Sequence, residues 1–328
     1  MRHFSYSRAE SIDQAVATFS ENQHASFLAG GTNLLDMVKL DLIRPELMID
    51  VNRLNLNQIE VLEDQRLKIG AMVSNSMLAN HAYVKEKYTV LSEALLSGAS
   101  TQLRNKATTG GNVMQRVRCP YFRDNTSMCN KRDPGSGCSA IDGFNRSVHA
   151  VLGTSDQCIA SHPSDMCVAM VAIGASVTVT GPSGDRDINF LDFHLLPGET
   201  PWKEFALRED ELITHITLDA PIEGAKSTYL KLRDRSSYQF ALASSAAIVA
   251  LNGNTIQEVR LALGGVGTKP WRAWEAEKML QGQPANIETF EKAARIAMQE
   301  AKAYKHNAFK IPLAQQAIVR TLLNLTAN

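Results

Sequence analysis

Apolar residues recur at helical spacing in LLDMVKLDLI (34–43), between two short apolar runs, ASFLAG (25–30) and LMIDV (47–51), the latter just after Pro45. The pattern predicts strand, turn, helix, strand: a small βαβ unit whose first turn is the pair Gly30-Gly31. A second region opens at LKIGAMVS (67–74), which reads as a strand. Two helical stretches follow, Ser76 to Lys87 and Val90 to Ser100, with Gly98 placed to close the second.

From Thr109 to Ala160 the periodicity fails. Pro120, Pro134, Gly135, Gly137 and Gly143 interrupt the chain repeatedly, and irregular stretches this long inside a compact domain are usually functional. Beyond it, SDMCVAMVAI (164–173) reads as a helix. ASVTVT (175–180), the turn Gly-Pro-Ser-Gly and DRDINF (185–190) then read as a hairpin. Residues 221–225 look like a linker. The remainder predicts three strands (227–234, 240–251, 255–263) and then helices over 271–280, 287–304 and 312–325, a separate α+β domain.

The chain has 328 residues, enough for two or three domains with cores of their own. With 34 basic and 34 acidic side chains its formal charge is zero, so nothing global points to nucleic acid or a membrane surface. No apolar run approaches the ~20 residues that cross a bilayer, and the start, MRHFSYSRAESIDQA, lacks the apolar stretch of a secretory signal. We therefore expect no membrane insertion and no nucleic-acid partner.

Two glycine turns carry candidate chemistry. Ala29-Gly30-Gly31-Thr32-Asn33, running from a strand into a helix, would present unpaired N–H groups where partial positive charge favours phosphate oxygens. It is neither a Walker loop nor a G-x-G-x-x-G fingerprint, and a purely structural tight turn is the competing reading. Thr108-Thr109-Gly110-Gly111-Asn112 repeats the chemistry, with no helix start visible after it. Two such turns suit a ligand with two phosphates and two long arms, such as FAD. In Ser161-His162-Pro163-Ser164-Asp165 the carboxylate of Asp165 could cap the following helix or bind sugar hydroxyls; taken alone, the cap is the better reading.

Four of the five cysteines, Cys119, Cys129, Cys138 and Cys158, fall in the irregular stretch with spacing C-x9-C-x8-C-x19-C. Clustered thiols in an otherwise cysteine-poor chain suggest a metal or iron-sulfur site rather than disulfides; buried free thiols are the bland alternative. Four thiolates on a Pro- and Gly-rich loop can close a 4Fe-4S cluster. The paired knuckles of structural zinc are absent, although zinc itself stays open. Cys167, inside the helical stretch, reads as a packed small apolar side chain. Between Arg104 and Arg132 the chain carries Arg104, Lys106, Arg116, Arg118, Arg123, Lys131 and Arg132 against the single acid Asp124. Such an imbalance would offset the burial of an anionic cluster; a solvated or docking face is the other reading.

The combination AGGTNLL, TTGGN and HPSDM with the later YLKLRDRSSYQFA resembles the flavoprotein subunit of the molybdenum hydroxylases, the xanthine dehydrogenase and carbon monoxide dehydrogenase family, over essentially the whole chain. The resemblance implies an α+β chain. Residues 1–221 would form a two-subdomain FAD-binding domain of the PCMH or vanillyl-alcohol-oxidase type (about 1–53 and 54–221), with an insertion at about 117–160. Residues 222–328 would form the family's C-terminal domain, a three-stranded antiparallel sheet with helices. Ala29, Gly30, Gly31, Thr32, Asn33 and Leu34 would hold the pyrophosphate, with Ser26, Phe27 and Leu28 leading into them. Thr108, Thr109, Gly111 and Asn112 would lie on its opposite side. Asp165 would bind sugar or ribityl hydroxyls, with Ile213 and Lys231 near the flavin ring; Lys231 could equally be a solvated strand residue. No residue is assigned a catalytic role.

The insertion CPYFRDNTSMCNKRDPGSGC resembles that of periplasmic bacterial aldehyde oxidoreductases, whose flavoprotein subunit carries an additional 4Fe-4S cluster. The resemblance implies a heterotrimer with a large molybdenum-cofactor subunit and a small 2Fe-2S subunit. Electrons from an aldehyde would pass through the 2Fe-2S clusters to FAD and on to an external acceptor, a quinone or ferredoxin-like protein rather than NAD. It also implies the periplasm, reached folded with a signal-bearing partner; the cytoplasm is the alternative. Three rivals remain: the flavin subunit of a 4-hydroxybenzoyl-CoA reductase-like enzyme, a stand-alone FAD oxidase, and a zinc-stabilised assembly protein with no redox role.

Overall fold

The computed structural model describes residues 1–22 and 24–327 and builds them into three sheets. Strands β1 (Ser5–Arg8), β2 (Ala25–Leu28) and β3 (Leu47–Asp50) form a parallel sheet in the order β1-β3-β2. The expected βαβ unit is therefore present, joined by an unforeseen first strand, SYSR, whose residues are mostly exposed. Its helix is shorter than its apolar pattern: it spans Leu34–Lys39 and stops where Asp41 turns to φ 59°.

Strands β4 (Ile59–Val61), β5 (Leu67–Gly70), β6 (Ala175–Gly181), β7 (Gly184–Asn189) and β8 (Leu212–Leu218) form an antiparallel sheet in the order β4-β5-β8-β6-β7. The β6-β7 hairpin matches its turn chemistry. Strand β8, LITHITL, was not foreseen, yet it occupies the centre of the sheet. The chain between β5 and β6 thus leaves one sheet and returns to it, and carries the helices, the second glycine turn and the cysteine loop on the way.

That excursion holds more helix than the sequence suggested. His81 divides the first stretch into Asn75–Asn80 and Ala82–Lys87, while Ser74 caps the first piece by accepting from Met77 N–H. The second stretch is Thr89–Ser97, closed by Gly98 as expected. A further helix, Thr101–Lys106, is capped by Ser100.

The C-terminal sheet has four strands rather than three: β9 (Lys226–Leu232), β10 (Ala243–Asn252), β11 (Thr255–Gly264) and the two-residue β12 (Trp271–Arg272), in the order β12-β11-β10-β9. Helices Trp274–Leu280, Ile287–Ala297 and Lys310–Thr326 cover one face and share a core with the sheet through Phe290, Ile318 and Leu322.

The helix Asp165–Ile173 ties these parts together. It is apolar all round, as a helix must be when no face meets water, and all nine residues are buried. Burying side chains the size of Met166, Met170 and Ile173 contributes about 1.5–3 kcal/mol each relative to exposure. Its core continues into Tyr229, Ala246 and Ala262 of the C-terminal sheet. The first residue of this helix, Asp165, is accordingly held in place by a buried helix.

Candidate functional site

The two glycine turns meet. A Cβ on Gly30 would lie 2.1 Å from the carbonyl oxygen of Lys106, two residues before the second turn, so only glycine permits this approach. Gly31 adopts φ 73° and swings the chain into the helix Leu34–Lys39. Asn33 occupies the N-cap position of that helix without making the capping bond, and its Oδ1 is buried with no partner. The second turn does start a helix, contrary to expectation: Thr109–Val113, capped by Thr108 Oγ1, which accepts from Gly111 N–H at 3.2 Å. The glycines hid this helix from its propensity, and its cap and tertiary packing form it nonetheless.

Between the turns lies a cavity of about 430 Å³, within the range of small-molecule sites. Thr32 and Asn33 from the first turn, Gly111 and Asn112 from the second, and Asp165 and Lys231 all line it. Ser26, Phe27 and Leu28 lie in strand β2 beneath the first turn; Ala29, Gly30, Gly31 and Leu34 shape that turn, as Thr108 and Thr109 shape the second. Ile213 does not face the cavity: it is buried in β8, opposite Val179 in the core of the five-stranded sheet.

Asp165 does not cap its helix. Ser164 does, accepting from Cys167 N–H at 3.1 Å. The Asp165 carboxylate instead accepts from Tyr229 Oη at 2.6 Å and from Lys231 Nζ at 2.8 Å. Lys231 is no solvated strand residue: its side chain is 4% exposed, and it also donates to Ser97 O at 3.1 Å. Tyr229 is the partner that sequence reasoning missed, although period-two alternation in YLKL puts it on the same face as Lys231. Desolvation, first of all, and the Asp165 charge hold its phenol well above its usual range.

Other lining residues were not among the expected cofactor contacts: Asn75 and Gln115, Arg104 and Arg118 of the basic run, and Tyr238, Gln239 and Phe240 at the end of YLKLRDRSSYQFA. Asn75 Oδ1, Arg104 Nε and Arg118 Nε are buried without partners. Together with Asn33 Oδ1 they give the cavity donors and acceptors that nothing within the protein satisfies, which fits a polar, extended ligand such as a dinucleotide.

The four cysteines converge on a separate hollow, lined also by Tyr121, Phe122, Asn130, Lys131 and Gln157. All four are free thiols. Cys119 precedes the short helix Pro120–Arg123. Cys129 faces Cys138 across a β-bridge, which Asn130 N–H to Gly137 O (2.7 Å) and the positive φ of Gly135 and Gly137 make possible. Cys158 follows the turn in which Ser155 N–H donates to its carbonyl. No carboxylate lines the hollow. Burial pushes the Cys119 thiol up to about 12 and Cys158 to about 11, as expected of sulfurs held in apolar surroundings. Nor do any three of the four sulfurs lie within 4.8 Å of one another. A tetrahedral zinc ion with Zn–S of about 2.3 Å would hold them roughly 3.8 Å apart. The donor set therefore fits a larger, all-thiolate centre.

The basic run around this loop finds acidic partners elsewhere in the chain. Glu204, distant in sequence and largely buried, pairs with Arg116 and with Lys131 (3.0 Å). Asp36 pairs with Arg123 (2.6 Å) and Arg118 (3.4 Å), and so joins the first turn's helix to the cysteine loop. Arg132 donates to the carbonyls of Tyr121 and Phe122, both at 2.8 Å. Tertiary partners thus offset the imbalance seen in sequence only in part, Glu204 and Asp36 joining Asp124 against seven cations, and Lys131 is the cation whose charge acts on Cys158.

Cys167 belongs to a different group. Its sulfur, a His162 nitrogen and a His194 nitrogen lie within 4.8 Å of one another, all buried. His162 Nδ1 accepts from Ser164 N–H, which leaves the proton on Nε2, and His194 Nε2 donates to Val113 O at 2.9 Å. One N–H, one lone pair and one thiol face the centre. A neutral His162 in this tautomer has no lone pair to give a metal, and its Nε2 and His194 Nδ1 are buried without partners, so the trio packs as apolar core around Cys167.

Comparison with known proteins accords with this arrangement. Residues 2–220 match the family model described as the FAD binding domain in molybdopterin dehydrogenase, and residues 228–325 match that of the CO dehydrogenase flavoprotein C-terminal domain. The chain is 47% identical over 329 residues to the aldehyde oxidoreductase FAD-binding subunit PaoB of Escherichia coli, covering 100% of this chain and 99% of that one. It is 30% identical to the glyceraldehyde dehydrogenase medium chain of Sulfolobus acidocaldarius, covering 86% and 83%. Among solved structures, a carbon monoxide dehydrogenase from Hydrogenophaga pseudoflava superposes with a TM-score of 0.77 at 26% identity, covering 99% and 97%.

Proposed function

The chain belongs to the family of FAD-binding subunits of molybdenum hydroxylases, and on that premise we propose that it is the electron-transfer flavoprotein subunit of a molybdenum-dependent aldehyde oxidoreductase. The observation that carries this reading is the pair of sites: both glycine turns, Asp165 and Lys231 face one large cavity, while four thiols surround a second hollow on a loop that Arg118 and Arg123 tie to the cavity-lining Asp36.

When bound, FAD takes up electrons singly or in pairs, and a 4Fe-4S cluster passes them one at a time. The residues present do the rest. Gly30 and Gly31 let the backbone approach the pyrophosphate, with Asn33 and Asn112 on either side of it. The Asp165 carboxylate, fixed by Tyr229 and Lys231, offers an acceptor to ligand hydroxyls. Cys119, Cys129, Cys138 and Cys158 hold the cluster, and Lys131 offsets its charge. The partners are a large molybdenum-cofactor subunit and a small 2Fe-2S subunit. The acceptor is a quinone or ferredoxin-like protein, and the compartment is the periplasm, reached folded with a signal-bearing partner.

Purification from the native operon tests the reading. FAD, molybdenum, iron and sulfide should co-purify with two further subunits, in the periplasmic fraction. A single polypeptide carrying flavin alone would make it a stand-alone oxidase, and zinc in place of iron would remove the cluster. No helix among the described residues is long and apolar enough to cross a membrane.

A further inference from the structure

His149 lies against the cysteine centre without being one of its four thiols. Its Nε2 is 3.3 Å from Cys119 Sγ, and the two residues are 1% and 4% exposed. Its backbone is held by a bridge to Ala160 and by Ala150 N–H donating to Ile159 O at 2.7 Å, the same ribbon that delivers Cys158. The ring is therefore fixed from both sides of the loop. Its Nδ1 is buried and has no partner.

Those contacts select a tautomer. With the proton on Nδ1, a buried N–H would be orphaned, and the bare Nε2 would turn its lone pair toward sulfur lone pairs. With the proton on Nε2, the N–H points at the sulfur and only an unused lone pair remains, the less costly of the two defects. If Cys119 is a thiolate ligand, only the second arrangement is attractive.

We propose that His149 is a tuning residue of the cysteine centre, donating an Nε2–H···Sγ hydrogen bond to Cys119 that favours the reduced, more negative state. This rests on the 4Fe-4S reading above. Hydrogen bonds to cluster sulfurs are among the determinants of reduction potential, and this one raises it. Because His149 does not touch the flavin cavity, the effect is confined to the cluster.

The test uses the purified complex with His149→Phe, which keeps an aromatic ring but no donor, and His149→Gln, which restores one. Iron and sulfide are assayed in each, and midpoint potentials are read by EPR-monitored redox titration. Full iron with a lower midpoint in His149→Phe, partly restored in His149→Gln, supports the inference. An unchanged midpoint in a fully loaded His149→Phe overturns it. Should His149→Phe lose its cluster, wild type grown on isotope-labelled histidine decides: coupling of a histidine nitrogen to the reduced cluster, lost in His149→Gln, supports the bond, and its absence in wild type overturns it. A wild-type complex without iron and sulfide overturns the 4Fe-4S reading itself and this inference with it.

Discussion

Gly30 and Lys106 meet backbone to backbone, so that the α-carbon of one rests on the carbonyl of the other with no room for a methyl group. This contact sets the distance between the two glycine turns. A Gly30→Ala substitution must push the parallel sheet away from the second turn. A strain of about 1–3 kcal/mol is typical of such overpacking, equivalent to a roughly five- to 150-fold weaker ligand. Flavin content after purification, read from visible absorbance, should fall sharply while iron content stays near wild type.

Asp165 and Lys231 form a buried pair, with side chains 8% and 4% exposed. Removing one partner of a buried pair typically costs about 3–5 kcal/mol, because the other charge is stranded. Asp165→Ala should therefore be destabilised by that order in urea unfolding. The double variant Asp165→Asn/Lys231→Met should recover much of the loss; equal losses in both would show that the pair is not coupled.

Cys129→Ser should abolish the iron signal and leave much of the FAD bound, since the thiols and the flavin cavity have separate linings. Cys167→Ala should leave iron unchanged. Normal iron in Cys129→Ser would falsify the ligand assignment.

Burial, its largest cause, holds His194 down at about 4 and His162 well below its ordinary value of 6.5. As pH falls from about 6.5 toward 4, the unfolded chain binds protons at these histidines before the folded chain does. Stability is therefore lost on acidification through this window, by up to about 1.4 kcal/mol per pH unit for each histidine. Urea unfolding between pH 7 and pH 5 should show this slope, and His194→Gln should reduce it.

The βαβ unit, the β6-β7 hairpin and the C-terminal strands were legible because each follows a local rule: period, turn residue or cap. Strand β8 was not, since LITHITL follows a polar stretch and owes its place to β5 and β6. The same division holds at the site. The glycine turns and the cysteines announce themselves by composition. Asn75, Arg118 and Phe240 reach the cavity only through tertiary packing, and Glu204 pairs with Arg116 and Lys131 of a basic run that lies more than seventy residues before it. Tyr229 stood in plain view, two residues before Lys231.

The cysteine loop is fastened from the far end of the chain. Asn145 Oδ1 accepts from His306 N–H, Ala150 O from Asn307 Nδ2, Ser147 O from Lys310 Nζ, and Val151 and Leu152 N–H donate to Val266 O. The stretch between Cys138 and Cys158 is thus shaped by residues 266–310 of the C-terminal domain, so the two domains share responsibility for where the thiols stand and neither can be altered there without the other.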